Sequence, residues 1–263
     1  MNSPSVGPAT SRYSRIRVEA RSAIAQITLD HPPLNVIDIP MMDELAAALR
    51  DLESDPKISV LLFSGSGSHF SAGVDVAAHT PEKIEEMLGK FHRAIRALVS
   101  TKKVTIAAVQ GHCLGGGAEL AMVCDLVYTS DDAQWGLPEI KLGCYPPVAV
   151  TALAALVGQK KAADLIFTGR AISGEQAAAI GLANQAVDSG DLGQVVNKTI
   201  ARLSQLSPAA LALTKKAFYA WDAIHFDKGL ARAEKIYLEE LMKTEDVQEG
   251  IKAFREKRAA RWR

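Results

Sequence analysis

Two glutamates in this sequence have the neighbours that acid–base chemistry needs. Glu119 follows three consecutive glycines in GHCLGGGAELAMVCD (111–125), where we predict the first turn of a helix. Glu139 lies between Pro138 and Gly143 in WGLPEIKLG (135–143), which predicts a rigid loop or a helix start. Two carboxylates beside one apolar pocket can hold a water molecule between them. If burial and mutual repulsion separate their pKa values, one carboxyl keeps its proton as general acid and the other acts as general base.

Two loops could supply amide donors to the same pocket. Gly115–Gly117 follow the apolar segment VTIAAVQ (104–110), and N–H groups at a helix start lack partners and lie at the positive end of the helix dipole. In HFSAGVD (69–75), Gly73 lets the backbone turn so that the amide of Val74 can face a ligand. One amide from each loop suits a thioester oxygen that becomes an enolate-like anion. Removal of one such donor costs ~3–4 kcal/mol in comparable sites.

Each of these features also has a purely structural interpretation. Three glycines are more often a tight turn, and Glu119 alone could complement the helix dipole. Glu139 alone could be a solvated loop residue, and Asp75 is expected to cap or hold a loop rather than to catalyse. The dinucleotide fingerprint G-x-G-x-x-G is not matched. Chemistry is therefore indicated by the combination and by none of the parts alone.

The composition argues against several classes of function. The 263 residues include 30 basic and 30 acidic side chains, so the net charge is zero and gives no global electrostatic case for nucleic acid or a membrane surface. No apolar run approaches membrane-spanning length, and the segment MNSPSVGPAT (1–10) lacks the pattern of a secretory signal. Cys113, Cys124 and Cys144 form no C-x-x-C and no metal-ligand spacing with histidine. We therefore expect reduced thiols, no metal site and a cytoplasmic location.

Hydrophobic periodicity predicts an α/β fold with a largely parallel core. Strands are expected in the hairpin Arg15–Asp30 and in the segments 59–64, 104–110 and 126–129, and helices over Pro40–Leu52 and Pro81–Val99. Ser173 and Gln176 form a capping-box pattern, and Gly181 suits the end of that helix. We expect a flexible N-terminus over 1–13, a core over 14–205 and a helical oligomerisation region over 206–263.

At these residues the sequence resembles the crotonase family, the enoyl-CoA hydratases and isomerases. The resemblance covers about Ile16 to Phe254, and its motifs occur in order and at family spacing. They are FSAGVD (70–75), AAVQGHCLGGGAELAMVCDLVY (107–128), WGLPEIKLG (135–143), TGRAISGEQAAAIGLANQAV (168–187) and SPAALALTKKA (207–217).

This resemblance implies a ββα-superhelix core, a helical trimerisation region and a homotrimer or dimer of trimers. It implies that Glu119 and Glu139 are catalytic, that the amides of Val74 and Gly116 form an oxyanion hole, and that coenzyme A enters only as part of the substrate. Hydratases of this family keep both carboxylates, whereas isomerases typically keep only the one that matches Glu139. The implied contacts to CoA or substrate are Ala72, Asp75, Val76, Ala77, Tyr145 and Lys257.

One segment departs from the ordinary hydratase pattern. An IPGAGG-like sequence is replaced by CYPPVAV (144–150), whose prolines and branched residues should stiffen the acyl pocket. Together with VDVAAHTPEKIEEMLGKFHR (74–93), it is similar to the cyclohexa-1,5-diene-1-carboxyl-CoA hydratases, which would place His79, Phe91 or Tyr145 near the acyl group. The alternatives are isomerase or other acyl-CoA chemistry on the same scaffold, and a non-catalytic homologue that binds RNA or protein.

Overall fold

The chain builds an α/β architecture, which confirms the predicted fold class. The computed structural model describes residues 12–219 and 222–262. The predicted flexible N-terminus therefore lies outside the described residues except for its last two. Of these, Arg12 pairs with Asp51, and Tyr13 packs against the hydrophobic core.

The strands and helices follow one another in mixed order along the chain. The strands are β1 (Ile16–Arg21), β2 (Ile24–Leu29), β3 (Val60–Gly65), β4 (Val104–Val109), β5 (His112–Leu114), β6 (Leu126–Ser130), β7 (Gln134–Gly136), β8 (Ala171–Ser173) and β9 (Gln185–Val187). The helices are α1 (Ile39–Ser54), α2 (Ile84–Ser100), α3 (Gly116–Met122), α4 (Pro147–Val157), α5 (Gln159–Thr168), α6 (Gly174–Ala179), α7 (Leu192–Leu203), α8 (Pro208–Phe218), α9 (Asp222–Glu239) and α10 (Glu245–Arg255). Short 3₁₀ helices occur at Val76–Ala78, Pro138–Leu142 and Leu241–Lys243.

The larger sheet has the strand order β1-β2-β3-β4-β6-β9. Its first two strands form the predicted antiparallel hairpin, and every later neighbour pairs in parallel. On β3, Leu61 and Phe63 belong to the main core with residues of α1 and α2, whereas Val60 and Leu62 belong to a second cluster with residues of α7. Helices therefore cover both faces, which explains why β3 reads as a continuous apolar run.

A second, smaller sheet joins β5, β7 and β8. The pair β5–β7 is parallel and the pair β7–β8 is antiparallel. Each of these strands has only three residues, too few for a period of two to be recognised. The sequence did not predict this sheet, although β5 shortly precedes Glu119 in the chain and β7 shortly precedes Glu139.

Local capping signals fix several helix ends, those of α6 as predicted. The Asp38 side chain accepts from the amide of Met41 at the start of α1. Ser173 and Gln176 form the predicted capping box at the start of α6, and Gly181 follows that helix with φ +84°. The predicted helix over Pro40–Leu52 is confirmed as α1, and that over Pro81–Val99 is confirmed as α2, although α2 begins later than predicted, at Ile84.

The C-terminal helices pack back onto the core of their own chain. Helix α9 contacts α2 and α4, and α10 contacts the 3₁₀ helix Pro138–Leu142, which carries Glu139. The close approach of α10 requires Gly250, because a β-carbon there would lie 2.2 Å from the carbonyl oxygen of Leu142. Part of the predicted oligomerisation region therefore supports the segment that holds a candidate catalytic residue.

Among the helices of the described ranges, none has the length and apolarity needed to cross a membrane.

Candidate active site

The small sheet brings the two glutamates together. Strands β5 and β7 lie side by side with Leu114 opposite Gly136, and the amide of Gly115 donates to the carbonyl oxygen of Gly136 at 2.9 Å. Just beyond these paired ends, one chain segment enters α3 with Glu119 and the other enters the 3₁₀ helix with Glu139. Because these strand ends are adjacent, Glu119 and Glu139 lie close together in space although they are separated in sequence.

Glu119 is held at the start of a neighbouring helix. Its side chain is buried, and Oε1 accepts the amides of Val148 at 2.8 Å and Ala149 at 2.9 Å in the first turn of α4. Burial raises the pKa of Glu119 to about 7, although these two amides act to lower it because they favour the ionised form. This carboxylate therefore has a fixed orientation.

Glu139 has a different environment. The residue is partly buried, and its Oε2 atom is enclosed without a hydrogen-bond partner among the described residues. Burial, and secondly the negative charge of Glu119, raise the pKa of Glu139 to about 8. Since Glu119 accepts two amides, Glu139 is the member of the pair that holds a proton more firmly near neutral pH. One carboxyl acid and one carboxylate can thus coexist, as acid–base chemistry on a water requires.

The two predicted amide donors lie next to each other. A β-carbon placed on Gly116 would come within 3.5 Å of the amide nitrogen of Val74. Around Val74, Ile37 donates to the carbonyl oxygen of Gly73 at 2.9 Å and accepts from the amide of Asp75 at 3.2 Å. These bonds fix the strand-like path and leave the Val74 amide free. Neither it nor the Gly116 amide donates to an acceptor within the described part of the chain.

The packing around Gly116 leaves no room for a side chain at this position. A β-carbon there would also lie 2.5 Å from Cγ2 of Val74 and 3.2 Å from Cζ of Phe91. The adjacent Gly73 has φ +103°, a conformation that L side chains rarely adopt. The predicted glycine loops therefore form two close-packed backbone segments whose free amides converge.

A cavity of about 80 Å³ contains all four of these groups. Glu119, Glu139, Val74 and Gly116 line it together. The other predicted contacts that line it are Ala72, Val76 and Tyr145. His79 and Phe91 also line it.

Three predicted contact residues lie elsewhere. Asp75 caps the 3₁₀ helix Val76–Ala78 by accepting from the amide of Ala77 at 2.9 Å, which confirms its expected capping role. Ala77 is exposed. Lys257 is also exposed, just after α10 with φ +52°, and in the described chain it lines neither the carboxylate cavity nor the larger one beside it.

The larger cavity has a volume of about 550 Å³. It lies between the loop His79–Pro81 and helix α10, and Lys252 and Arg255 supply its positive charges. His79 lines both cavities, so the larger space adjoins the smaller one. The sequence placed a basic contact near the C-terminus at Lys257, whereas the helix brings Lys252 and Arg255 to the cavity.

Tyr237 of α9 is a site residue that sequence reasoning missed. It is 1% exposed and lines the carboxylate cavity. The buried positions Leu230, Ala233 and Tyr237 recur at helical spacing, so the buried face of α9 was visible in the sequence. Nothing in the sequence indicated which surface that face covers.

Comparison with known proteins agrees with this geometry. The family model described as enoyl-CoA hydratase/isomerase matches residues 19–263. The cyclohexa-1,5-dienecarbonyl-CoA hydratase of Thauera aromatica is 33% identical over 250 residues, covering 94% of this chain and 96% of that protein.

Solved structures give the same result for the fold. An enoyl-CoA hydratase from Mycobacterium avium subsp. paratuberculosis superposes with a TM-score of 0.87 at 28% identity, covering 95% of this chain and 99% of that one. An enoyl-CoA hydratase/isomerase from Xanthobacter autotrophicus has a TM-score of 0.85 at 30% identity, with coverages of 93% and 94%. The sequence motifs, the paired carboxylates and these likenesses agree, and the chain belongs to the crotonase (enoyl-CoA hydratase/isomerase) family.

Proposed function

We propose that this protein is a hydro-lyase that adds water across the double bond of an α,β-unsaturated acyl-CoA. The observation that carries this proposal is that Glu119 and Glu139 line one cavity with two free amides. Glu139 lines this cavity, and its Oε2 atom has no hydrogen-bond partner among the described residues, so it is available to a bound water or substrate.

The proposed reaction has two linked parts. Glu119, fixed by its two amide bonds, and Glu139 hold a water whose oxygen bonds to the β-carbon. Glu139 delivers a proton to the α-carbon, and the carboxylate pair takes up the proton that the water loses. The carbon–carbon double bond becomes a single bond, so water is added and nothing else is consumed. No cofactor is needed beyond the CoA that the substrate itself carries.

The amides of Val74 and Gly116 would stabilise the thioester oxygen while it carries negative charge. They are held by the backbone and lack competing acceptors in the described chain, so they require no rearrangement before the reaction. Preorganised donors of this kind are worth ~3–4 kcal/mol each in related oxyanion sites.

The larger cavity is our proposed site for the CoA phosphates. Its volume of about 550 Å³ suits a ligand of cofactor size, and the positive charges of Lys252 and Arg255 outnumber the negative charge of Glu256 in its lining. Its boundary at His79 adjoins the carboxylate cavity, where the thioester would lie. Lys257 remains a predicted phosphate contact, but Lys252 and Arg255 line this cavity and Lys257 does not.

A cyclic dienoyl-CoA is the second candidate substrate. The specific observation in its favour is the 33% identity to the Thauera aromatica protein that is named cyclohexa-1,5-dienecarbonyl-CoA hydratase. A non-catalytic homologue that binds RNA or protein is disfavoured, because two buried carboxylates with raised pKa values would have no role in it.

We also propose that the protein assembles as a homotrimer or a dimer of trimers in the cytoplasm, without a nucleic-acid or membrane partner. Leu213 and Phe218 of α8 are 66% and 74% exposed, and Phe167 of α5 is 74% exposed. Exposed apolar side chains that form a continuous patch become buried between subunits, and the two on α8 lie on one helix. The three cysteines are free and buried, which suits a reducing compartment.

The test is to incubate the full-length protein separately with crotonyl-CoA and with a cyclic dienoyl-CoA, and to follow the loss of enoyl absorbance. We expect water addition to at least one of them. Failure to hydrate either substrate, together with turnover of a different acyl-CoA, would overturn the proposal. Salt-dependent RNA retention without thioester turnover would support the non-catalytic alternative instead.

A further inference from the structure

Three aromatic side chains line the carboxylate cavity. The aromatic wall consists of Phe91 of α2, Tyr145 of the loop before α4, and Tyr237 of α9, all of which line the cavity. Phe91 and Tyr237 are 2% and 1% exposed, whereas Tyr145 is partly buried. The wall therefore combines three separate elements, one of them from the C-terminal helical region.

Contacts between these elements hold the wall in place. The hydroxyl of Tyr145 donates to the carbonyl oxygen of Ala233 in α9 at 2.6 Å. The rings of Tyr145 and Tyr237 meet edge to face with centroids 5.1 Å apart, a favourable aromatic arrangement. Behind them, the Tyr237 hydroxyl contacts the thiol of buried Cys144. Neither tyrosine ring can move without losing contacts to the other.

The free volume beside these side chains is small for a ring. The cavity of about 80 Å³ must hold the reacting carbons of the acyl group and the water. An enclosed protein cavity that binds benzene has about 150 Å³. A short chain fits this space, whereas a six-membered ring or a long chain requires the wall to be displaced.

Within the wall, Tyr237 is the residue best placed to set this limit. Phe91 lies against Gly116 and thus beside the proposed oxyanion donors, not at the acyl end. Tyr145 is tied by its hydroxyl to the α9 backbone. The Tyr237 ring packs against Tyr145, and its hydroxyl contacts Cys144. The hydroxyl also lies near enough to Glu139 to interact with its charge, so Tyr237 is beside the carboxyl that acts on the α-carbon.

We infer that the aromatic wall restricts the acyl group to a short chain of about crotonyl size, and that Tyr237 is the specificity-determining residue. This inference rests on the proposed function and distinguishes between its two candidate substrates. Tyr237 touches the acyl group and takes no part in the proton transfers.

The test uses the binding of saturated acyl-CoA analogues, because binding does not depend on hydration. Calorimetric titration of the full-length protein compares butanoyl-CoA, cyclohexanecarbonyl-CoA and decanoyl-CoA. For the parent we expect butanoyl-CoA to bind at least about tenfold more tightly than the other two, since pocket contacts of this kind discriminate by about that factor. Tyr237→Ala should reduce the difference to about twofold, and Tyr237→Leu should do the same if the alanine variant fails to fold.

Tyr237→Phe is the matched control, because it keeps the ring and removes only the hydroxyl. It should retain the parental preference. Equal or tighter binding of the cyclic or long-chain analogue by the parent would overturn the inference, and so would a preference that survives loss of the ring. A parent that shows the binding preference but adds no water to crotonyl-CoA or to the cyclic dienoyl-CoA, and turns over a different acyl-CoA, would refute the proposed function and leave the size limit standing.

Discussion

The carboxylate of Glu139 lies directly against the backbone of Gly115. A β-carbon placed on Gly115 would come within 2.7 Å of Glu139 Oε1, so the glycine keeps open the place that the carboxylate occupies. Gly115 also has φ +50° and ψ −127°, a combination that only glycine adopts readily. The same residue directly follows β5 and precedes the helix of Glu119, and it thus couples the positions of both glutamates.

Gly115→Ala should therefore harm both stability and activity. We expect a loss of about 1–3 kcal/mol in the free energy of unfolding from backbone strain, and a fall in kcat of about tenfold or more from displacement of Glu139. Chemical denaturation and the crotonyl-CoA assay measure the two effects. Gly193→Ala is the control, because Gly193 has open space around it and lies within α7, where alanine is favoured. Parental activity in Gly115→Ala would contradict the assigned geometry.

Glu119→Gln and Glu139→Gln should each lower kcat by about 10²–10⁴-fold, because each removes a proton-transfer group without much change in size. The kcat of the double variant should be only slightly lower than that of the less active single variant, since the two groups act as a unit on one water. Steady-state kinetics of all three variants measures this. The exposed Glu85 on α2 offers a matched control, and Glu85→Gln should behave like the parent. Multiplicative effects of the two site substitutions would argue against a shared water.

The raised pKa of Glu139 predicts a pH dependence of stability. Because its pKa in the folded protein lies above the usual value of 4.5, the folded state binds more protons than the unfolded state between that value and about 8. The stability that the protonated carboxyl contributes is therefore fully present below the pKa of the unfolded state and is lost as pH rises through the pKa of the folded state. Over this interval the free energy of unfolding falls by at most about 1.4 kcal/mol per pH unit.

Denaturation of the parent and of Glu139→Gln at several pH values measures this effect. The glutamine variant cannot ionise, so we expect its stability relative to the parent to increase as pH rises over this interval. An unchanged difference between the two proteins across the interval would mean that Glu139 titrates normally.

Lys252 and Arg255 should contribute to binding of the CoA moiety and not to chemistry. Lys252→Ala and Arg255→Ala should each raise KM for crotonyl-CoA by about two- to five-fold, as expected for exposed charges, and leave kcat unchanged. KM for crotonyl-pantetheine, which lacks the nucleotide, should stay at the parental value. Lys257→Ala serves as the comparison, since the described structure places Lys257 outside the cavity lining. A larger effect at Lys257 than at Lys252 would support the sequence-based prediction of Lys257 and contradict the proposed role of Lys252.

Much of the fold could be predicted because its signals are long and local. Strand β3 and helix α2 carry extended apolar patterns, and the capping box at Ser173 is readable from four residues. The small sheet could not be predicted, since three-residue strands have no recognisable period. Yet this sheet explains why Glu119 and Glu139 meet.

The candidate site shows the same division. The glycine-led loops and the two glutamates stand in recognisable motifs, and their positions agree with the expectation. Tyr237 was missed because its role depends on which surface α9 covers, and helical periodicity does not contain that information. Lys257 stays a predicted contact; Lys252 and Arg255 line the larger cavity because the turn at the end of α10 decides which basic residues face it, and the sequence did not show that turn.

The most direct test of the account is to follow the oxygen of water into the product. Crotonyl-CoA is incubated with the full-length protein in oxygen-labelled water, and the product is analysed by mass spectrometry and fragmentation. We expect the parent to form hydroxybutyryl-CoA with the label on the β-carbon, and Glu119→Gln/Glu139→Gln to form almost no labelled product. A product without label at the β-carbon, or equal labelling by the double variant, would contradict the central claim that these two glutamates add water to an enoyl thioester.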